Sequence, residues 1–568
     1  MAVADRPVHD EGLRAIFDPR SVAIYGISER TSLRIAENMT VPGVPFHGIN
    51  PTKSEACGVK CYPTIGDCPA VPEMVVMGVG DGRIEAAIDD VLSVEGVRAI
   101  VVPGLGNETG AEDRRAHKEF RPTIAERISA RVRDAGIAMV GPNCMGIATP
   151  GFPSPWIGSL HPTFVRGPVA TVVHSGSIGE ILVSLGPRIG FRTVISSGNE
   201  TVTKAADFVS WFADDPETRV VGLFLETVRE PARFEDALRK LAEADKVAIV
   251  LKVGTSEMGA KAALAHTGAL VGSDRSFSAM LRHYGAIRVG DFGDWLEHLE
   301  VFSRARPPRG RRIGAVTNSG GEGEYFADKA EQAGIPLTDY PDALQAQIHA
   351  EFPNFVKIGN PADCWAIDDD RVVFPRVFQL LAESGEFDVL VSAIDHSVWL
   401  KGTERALARN IADDLRAAVE GTDIFPAVIS VTTADPPIED LEWAREHDIP
   451  LLKGTLPGLR ALAARLNHER YLPPPRAVPA DDPIAGSGAL AEVDSAAVLA
   501  AHGVPYVRAE RCASADEAAS AAERIGYPVV CKIDNVAHKA RVGGVALHLA
   551  NAASVRSAAE RMGGRVVI

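Results

Sequence analysis

Twice in this chain a short run of β-branched and small apolar residues breaks into Ser, Asn and Gly and then opens directly into a helical stretch. The first occurrence is PVATVVHSGSIGEILVSLG at 168–186 and the second is IGAVTNSGGEGEYFADKAEQAG at 313–334. A strand, a tight turn and a helix together return the chain to its own sheet through a crossover, which makes neighbouring strands parallel. Parallel strands are covered on both faces and so read as unbroken apolar runs. VVGLFLE (220–226) and VAIVLKVG (247–254) have that character. The 52 Gly and the aromatic share of 6% fit the same habit. The expected fold class is α/β and multidomain, with doubly wound parallel sheets.

The same alternation extends in both directions. SVAIYGIS (21–28), MVVMGVG (74–80), RAIVVPGLG (98–106) and AMVGPN (138–143) read as strands, with helices over 84–92 and 117–135. DVLVSAI (388–394) and AVISVTT (427–433) continue the unit that opens at 313. Two Pro-rich stretches, RARPPRGRR (304–312) and YLPPPRAVPADDPIAGSG (471–488), are too rigid and too polar to pack as elements and read as linkers. The organisation expected is four units, 10–150, 165–305, 311–468 and 488–568. The last reads helix, strand, helix and then the strand YPVVCKI (527–533), and it ends on Val566-Val567-Ile568 as if a further strand were beginning. That final unit is expected to be only part of its fold.

Composition narrows the partners. The formal net charge of −16 makes the chain a poor ligand for nucleic acid or an anionic membrane, although helix N-termini can still bind phosphate. No apolar stretch approaches the roughly 20 residues of a membrane span, and no apolar leader opens the sequence, so a cytoplasmic protein is expected. Cys57, Cys61 and Cys68 lie close together without a second pair or a His, so no zinc pattern is complete and no metal ligand can be named.

The two glycine turns are the first candidate sites. Small residues let backbone N–H groups approach an anion, and the helix dipole adds partial positive charge. Ser175, Gly176, Ser177 and Gly179 in the first turn, and Asn318, Ser319, Gly320 and Gly321 in the second, are candidate phosphate-binding residues. Two such turns in adjacent units suggest two helix N-termini facing one phosphate. A carrier for that phosphate must be phosphorylated and dephosphorylated readily. His266 in KAALAHTGALVGSD (261–274) is the candidate, since imidazole is nucleophilic near neutrality; a plain surface-loop histidine is the alternative. Glu226 ends the strand VVGLFLE, where functional groups of open α/β sheets gather, and could orient an imidazole; a solvated strand-end Glu is the alternative.

In the first unit, Gly26 and Ser28 occupy a strand-to-helix turn without GxGxxG spacing, and INPTK (49–53) stands where a ribose-binding acid would be needed for a dinucleotide. Lys53 would suit a 3′-phosphate or pyrophosphate, as in CoA. In the last unit Lys532 lies within a strand, and Lys539 precedes Gly543-Gly544; lysines so placed can bridge nucleotide phosphates or simply guard a sheet edge.

The order SVAIYGIS, NPTK, GPNCMGI, HSGSIG, SGNE, LFLE, LKVGTSEMGAKAALAHTGALVGSD, TNSGG, GNPAD, YPVVCKI and HKARVGGV resembles the NDP-forming (ADP-forming) acyl-CoA synthetases, relatives of succinyl-CoA synthetase, over essentially the whole chain. The resemblance implies a Rossmann-like CoA-binding domain, two flavodoxin-like ligase domains and part of an ATP-grasp domain. It implies that Gly26, Ser28, Lys53 and Asn143 line a CoA site. It makes His266 a phosphohistidine stabilised by Glu226, has the two turns hold phosphate, and has Lys532 and Lys539 contact ATP. The implied activity is an acid–thiol ligation that forms acyl-CoA from a small carboxylic acid, CoA and ATP, with Mg²⁺, in a homo-oligomer. The chain departs from the family at Val173-His174-Ser175-Gly176, often Ser-Gln-Ser-Gly, at Val79-Gly80, often Val-Pro, and at Gly104 to Glu108, usually Gly-Phe-Ser-Glu. Two other readings stand beside the ligase. One is a CoA-binding regulatory pseudoenzyme on the same scaffold. The other is a nicotinamide dehydrogenase, which the missing GxGxxG opposes.

Overall fold

The structure, a computed structural model, describes residues 10–104, 122–259, 274–355, 358–469, 471, 490–534 and 539–568. The chain divides into two compact units, Met1–Pro473 and Pro474–Ile568.

The first unit holds three sheets. The first has seven strands in the order Glu55–Ala56, Val59–Tyr62, Phe46–Ile49, Val22–Tyr25, Met74–Met77, Ala99–Val101 and Ala138–Val140. All its pairings are parallel except that of Glu55–Ala56 with Val59–Tyr62. The apolar runs read from the sequence form its inner strands; Met74–Met77 and Ala99–Val101 are buried at every position. The helix expected over 117–135 is described from Ile124 to Asp134. Thr123 Oγ1 accepts the Glu126 N–H (3.2 Å) while Glu126 Oε2 accepts the Thr123 N–H (2.7 Å), a reciprocal cap that fixes its start.

The second sheet runs Ile287–Val289, Val247–Lys252, Val220–Leu225, Arg166–Val173, Phe191–Ser196 and Gly146–Ala148. Only the last pairing is antiparallel. That edge strand precedes residue 150, so the segment following the first sheet crosses over to close the second. The third sheet, Ala362–Asp363, Ile313–Thr317, Val389–Ser392, Phe425–Ser430 and Leu451–Lys453, is wholly parallel.

The three sheets are packed together by side chains that belong to neither surface. Phe17, at the end of the helix Asp10–Phe17, packs on Phe208, Trp211 and Phe212 with ring centroids 5.3 to 6.2 Å apart. Burying one such phenylalanine stabilises by about 1.5–3 kcal/mol. The helix Phe292–Ser303 is enclosed from Asp294 onward and joins the second and third sheets. Its Glu297 pairs with buried Arg188 and accepts the Lys453 N–H (2.8 Å), so a charge removed from water is met by a counter-charge and a backbone donor.

The second unit carries a four-stranded antiparallel sheet in the order Arg511–Cys512, Val566–Val567, Val529–Ile533 and Val545–Leu549. The helices Ala515–Ile525 and Ala552–Arg561 cover a small core that includes Cys531, Val555 and Val566. No helix among the described residues is long and apolar enough to cross a membrane.

Candidate active site

The first glycine turn leaves the strand Arg166–Val173 and enters the helix Gly176–Val183. Ser175 is the residue before the helix, and among the described residues its side chain makes no capping bond; Ser175 Oγ and Ser177 Oγ lie 3.0 Å apart instead. The first N–H groups of a helix have no partner within it, so an uncapped start is suited to an anion. Gly179 has to be separated from this set. Its N–H donates to Ser175 O (3.2 Å), and a Cβ there would lie 2.7 Å from Cη2 of buried Trp156. The glycine expected to bind phosphate has its proton committed to the helix and is small for packing. Gly176 faces Met145, whose Cγ would stand 2.8 Å from an added Cβ.

Glu226 follows the strand Val220–Leu225 and is buried. Its backbone is held at both ends. The Glu226 N–H donates to His174 Nδ1 (3.1 Å), and Lys252 Nζ donates to Glu226 O (2.7 Å) and Val253 O (2.6 Å). Burial pulls Lys252 below the ordinary lysine range, while Asp274 and Glu226 oppose that fall. His174 Nε2 lies 3.0 Å from Glu200 Oε1, which also accepts from Ser197 Oγ (2.9 Å). Burial would raise the Glu200 carboxyl, but its partners His174 and Ser197 outweigh that and hold it below the usual range. The motifs HSGSIG and SGNE contain His174 and Glu200, and nothing local to them or to Lys252 points to this arrangement. The signal available was a histidine where a family glutamine is common. His266 lies outside the described residues.

The second turn stands in different surroundings. It links the strand Ile313–Thr317 to the helix Gly320–Gln332, and Ser319 Oγ accepts the Glu322 N–H at 3.4 Å. A Cβ on Gly321 would meet open space, and one on Gly320 would stand 3.3 Å from Asp363 Oδ2. A cavity of about 370 Å³ lies alongside, lined by Asn318, Glu322, Trp365, Asp395, Leu400 and Leu407 among others. Burial, with Asp395 and Asp363, pushes the Glu322 carboxyl up. Burial also acts to raise Asp395, but Ser430 Oγ (2.8 Å) and Thr432 N–H (3.1 Å) prevail and keep it low.

At the first sheet, Gly26 and Ser28 follow the strand Val22–Tyr25, and Lys53 follows Phe46–Ile49. Gly26 has φ +79°, and a Cβ would fall 2.3 Å from Val79 Cγ1, so the close turn requires glycine. Ser28 Oγ bonds Thr31 Oγ1 (2.7 Å), and Lys53 pairs with Glu29. Asn143 belongs to a loop that reaches the second sheet: its Nδ2 lies 3.4 Å from Asn199 Oδ1, and Met145 N–H donates to Ser196 Oγ (3.1 Å). The contacts therefore tie Asn143 to the first glycine turn's neighbourhood. In the second unit Lys532 and Lys539 share one carboxylate, with Nζ atoms 2.5 and 2.6 Å from Glu492 Oε1 and Oε2. Burial would raise Glu492, but the two lysines keep it low.

A glycine-rich helix start beside a strand-end Glu, joined to a Rossmann-like sheet by one loop, fits the class of ligases built on a succinyl-CoA-ligase-like core. Three family models match the chain: a CoA binding domain over 20–150, a succinyl-CoA ligase like flavodoxin domain over 166–302 and an ATP-grasp domain over 484–567. The chain carries the domains of NDP-forming acyl-CoA synthetases and is similar to members of that family over most of its length. It is 25% identical to acetate–CoA ligase (ADP-forming) I of Archaeoglobus fulgidus, over 94% of this chain and 78% of that one. It is 28% identical to a trans-feruloyl-CoA synthase of an unknown prokaryotic organism, over 99% and 81%. It is 25% identical to 4-hydroxybutyrate–CoA ligase (ADP-forming) of Nitrosopumilus maritimus, over 96% and 79%. The fold is that of the dinucleotide forming acetyl-coenzyme A synthetase 1 of Candidatus Korarchaeum cryptofilum, in complex with phosphate and ADP, with TM-score 0.67 and 24% identity over 80% of this chain and 96% of that one.

Proposed function

We propose that the chain ligates a carboxylic acid to CoA at the expense of ATP, releasing ADP and phosphate, and that the phosphoryl group travels on His266. The four sequence units 10–150, 165–305, 311–468 and 488–568 are its domains in this reading. The γ-phosphoryl of ATP passes to a nitrogen of His266, releasing ADP. The acid's carboxylate oxygen takes that phosphoryl, freeing the imidazole and giving an acyl phosphate. The CoA thiolate then attacks the acyl carbon and displaces phosphate. Each step depends on positioning and on stabilising charge.

The observation that carries the reading is Glu226, a buried carboxylate whose backbone is bracketed beside an uncapped glycine turn. A buried carboxylate on a backbone held at both its N–H and its carbonyl can orient an imidazole for attack and stabilise its phosphorylated form. Ser175, Gly176 and Ser177, with Asn318, Ser319, Gly320 and Gly321, are the phosphate-binding residues of the proposal. Gly26, Ser28, Lys53 and Asn143 serve CoA, and Lys532 and Lys539 serve ATP once its phosphates displace Glu492. Mg²⁺ is implied for the nucleotide step. Among the described residues no group of three His, Cys, Asp or Glu is placed to hold a cation. A cytoplasmic homo-oligomer belongs to the same proposal, since CoA and ATP are cytoplasmic substrates.

The test runs the reaction backward. The full chain is incubated with labelled inorganic phosphate and acetyl-, 4-hydroxybutyryl- or feruloyl-CoA. Wild type takes up an acid-labile, base-stable label, and His266→Ala takes up none. Label that persists in His266→Ala removes that residue as the carrier.

A further inference from the structure

His174 stands between the end of one central strand and the first residue of the glycine turn, and it is spent on neither. Its side chain is 4% exposed, and that of Glu200 is 2%. Its backbone N–H donates to Phe224 O (3.1 Å), continuing the ladder with the neighbouring strand. Its ring then reaches past that strand's end and accepts the Glu226 N–H at Nδ1 (3.1 Å). One residue thus grips the strand leading into Glu226 at two successive points.

The ring's own state is determined by its other nitrogen. An Nδ1 that accepts a backbone N–H carries no hydrogen, so in the neutral ring the hydrogen is on Nε2, which faces Glu200 Oε1 at 3.0 Å. Glu200 is held in turn by Ser197 Oγ (2.9 Å), and Ser197 N–H donates to Val173 O (3.0 Å). The chain of bonds runs from the end of the strand Phe191–Ser196, through Glu200 and His174, to the backbone of Glu226. We propose that His174 is a positioning residue for the phosphoryl transfer: it fixes Glu226 through the backbone, and Glu200 locks it in the one tautomer that can do so. The inference rests on the reading in which Glu226 serves a phosphorylated His266.

Among the described residues the charged groups near the ring are Glu200, which follows the strand Phe191–Ser196, and Glu226 and Arg229, which follow Val220–Leu225; Arg229 acts on Glu200. Lys252 from Val247–Lys252 holds the carbonyl side of Glu226. Glutamine can accept with its oxygen and donate with its nitrogen, as the neutral imidazole does.

The test compares the full-length wild type, His174→Gln and His174→Leu for label uptake from acyl-CoA and labelled phosphate at neutral pH. His174→Leu is expected to label roughly tenfold more slowly, equivalent to about 1.4 kcal/mol in the barrier, with the half-saturating acyl-CoA concentration unchanged. His174→Gln, which keeps the acceptor and the donor, is expected to recover most of the wild-type rate, a rescue that side-chain volume alone would not produce. If His174→Leu does not fold, as read by near-ultraviolet circular dichroism, His174→Gln decides. Labelling slowed tenfold in a folded His174→Gln, or wild-type labelling in a folded His174→Leu, overturns the inference alone. A wild type that takes no label overturns the phosphohistidine reading and this inference with it.

Discussion

Ser175 and Ser319 hold equivalent places, each just before a glycine-rich helix at the carboxyl end of an inner strand, yet the carboxyl groups near the two turns are held differently. Beside the first lie Glu226, held through its backbone by His174 and Lys252, and Glu200, a buried carboxylate engaged by His174 Nε2 and Ser197 Oγ. Around the second are Glu322, Asp363 and Asp395, and the carboxyl of Glu322 is pushed up by burial and by the other two. A helix N-terminus offers an anion about 0.3–1 kcal/mol of favourable interaction, and a carboxyl within that first helical turn, as Glu322 is, opposes it once it loses its proton. The comparison teaches that a shared Ser-Gly pattern specifies the path of the backbone but not the charge around it. In the proposed reaction the first turn is the firm phosphate site and the second responds to protonation.

Gly179 is the most direct probe of the first turn. If it serves packing, Gly179→Ala drives a Cβ to 2.7 Å from Trp156, a ring with no exposed surface. Overpacking of this kind costs about 1–3 kcal/mol, and the better helix propensity of alanine returns about 1 kcal/mol. Chemical unfolding of the full chain is expected to show a net loss of up to about 2 kcal/mol. A variant as stable as wild type would mean that Trp156 yields and that the glycine has another purpose.

The sequence made the sheets legible because parallel strands, buried on both faces, are unbroken apolar runs: VVGLFL and VAIVLK became strands buried along nearly their whole length. The turns were legible for the same local reason. The support of the site was not. His174 meets residues 26 and 52 positions away, and nothing local to any of the three shows that their strand ends are adjacent. Gly179 looked like its neighbours because a glycine that bonds an anion and a glycine that clears a tryptophan are spelled alike. Asn143 looked like a residue of the first sheet, but the loop bearing it is drawn to Asn199 and Ser196 of the second. The lysines at 532 and 539 were readable as cations, whereas their shared partner Glu492 lies 40 residues from the nearer of them in sequence.

Gly321 sharpens the comparison from the other side. Its added Cβ would touch nothing within 4 Å, so Gly321→Ala leaves stability unchanged or raises it by up to about 1 kcal/mol. The methyl would project where an anion approaches the second turn, and label uptake is expected to fall about two- to fivefold. Gly179→Ala and Gly321→Ala therefore separate packing from binding. Unchanged uptake in Gly321→Ala would remove the second turn from the phosphate site.

The smallest effect tests whether the second turn is governed by protonation. Because the folded chain holds the Glu322 carboxyl above its ordinary value, the group is neutral at low pH and becomes charged only as pH rises through that raised value. The charge then opposes an anion at Gly320 and Gly321, and the folded state loses stability over the same rise, since it binds that proton more tightly than the unfolded chain does. Glu322→Gln removes both effects. Inorganic phosphate affinity, measured by titration on both proteins, is expected to agree at low pH and to diverge upward in the variant by about twofold at alkaline pH. Taking the ratio of the two proteins cancels the titration of phosphate itself. A ratio that stays flat with pH would show that the carboxylates around the second turn do not reach its anion, and the contrast between the two turns would then reduce to the firmness with which Glu226 is held.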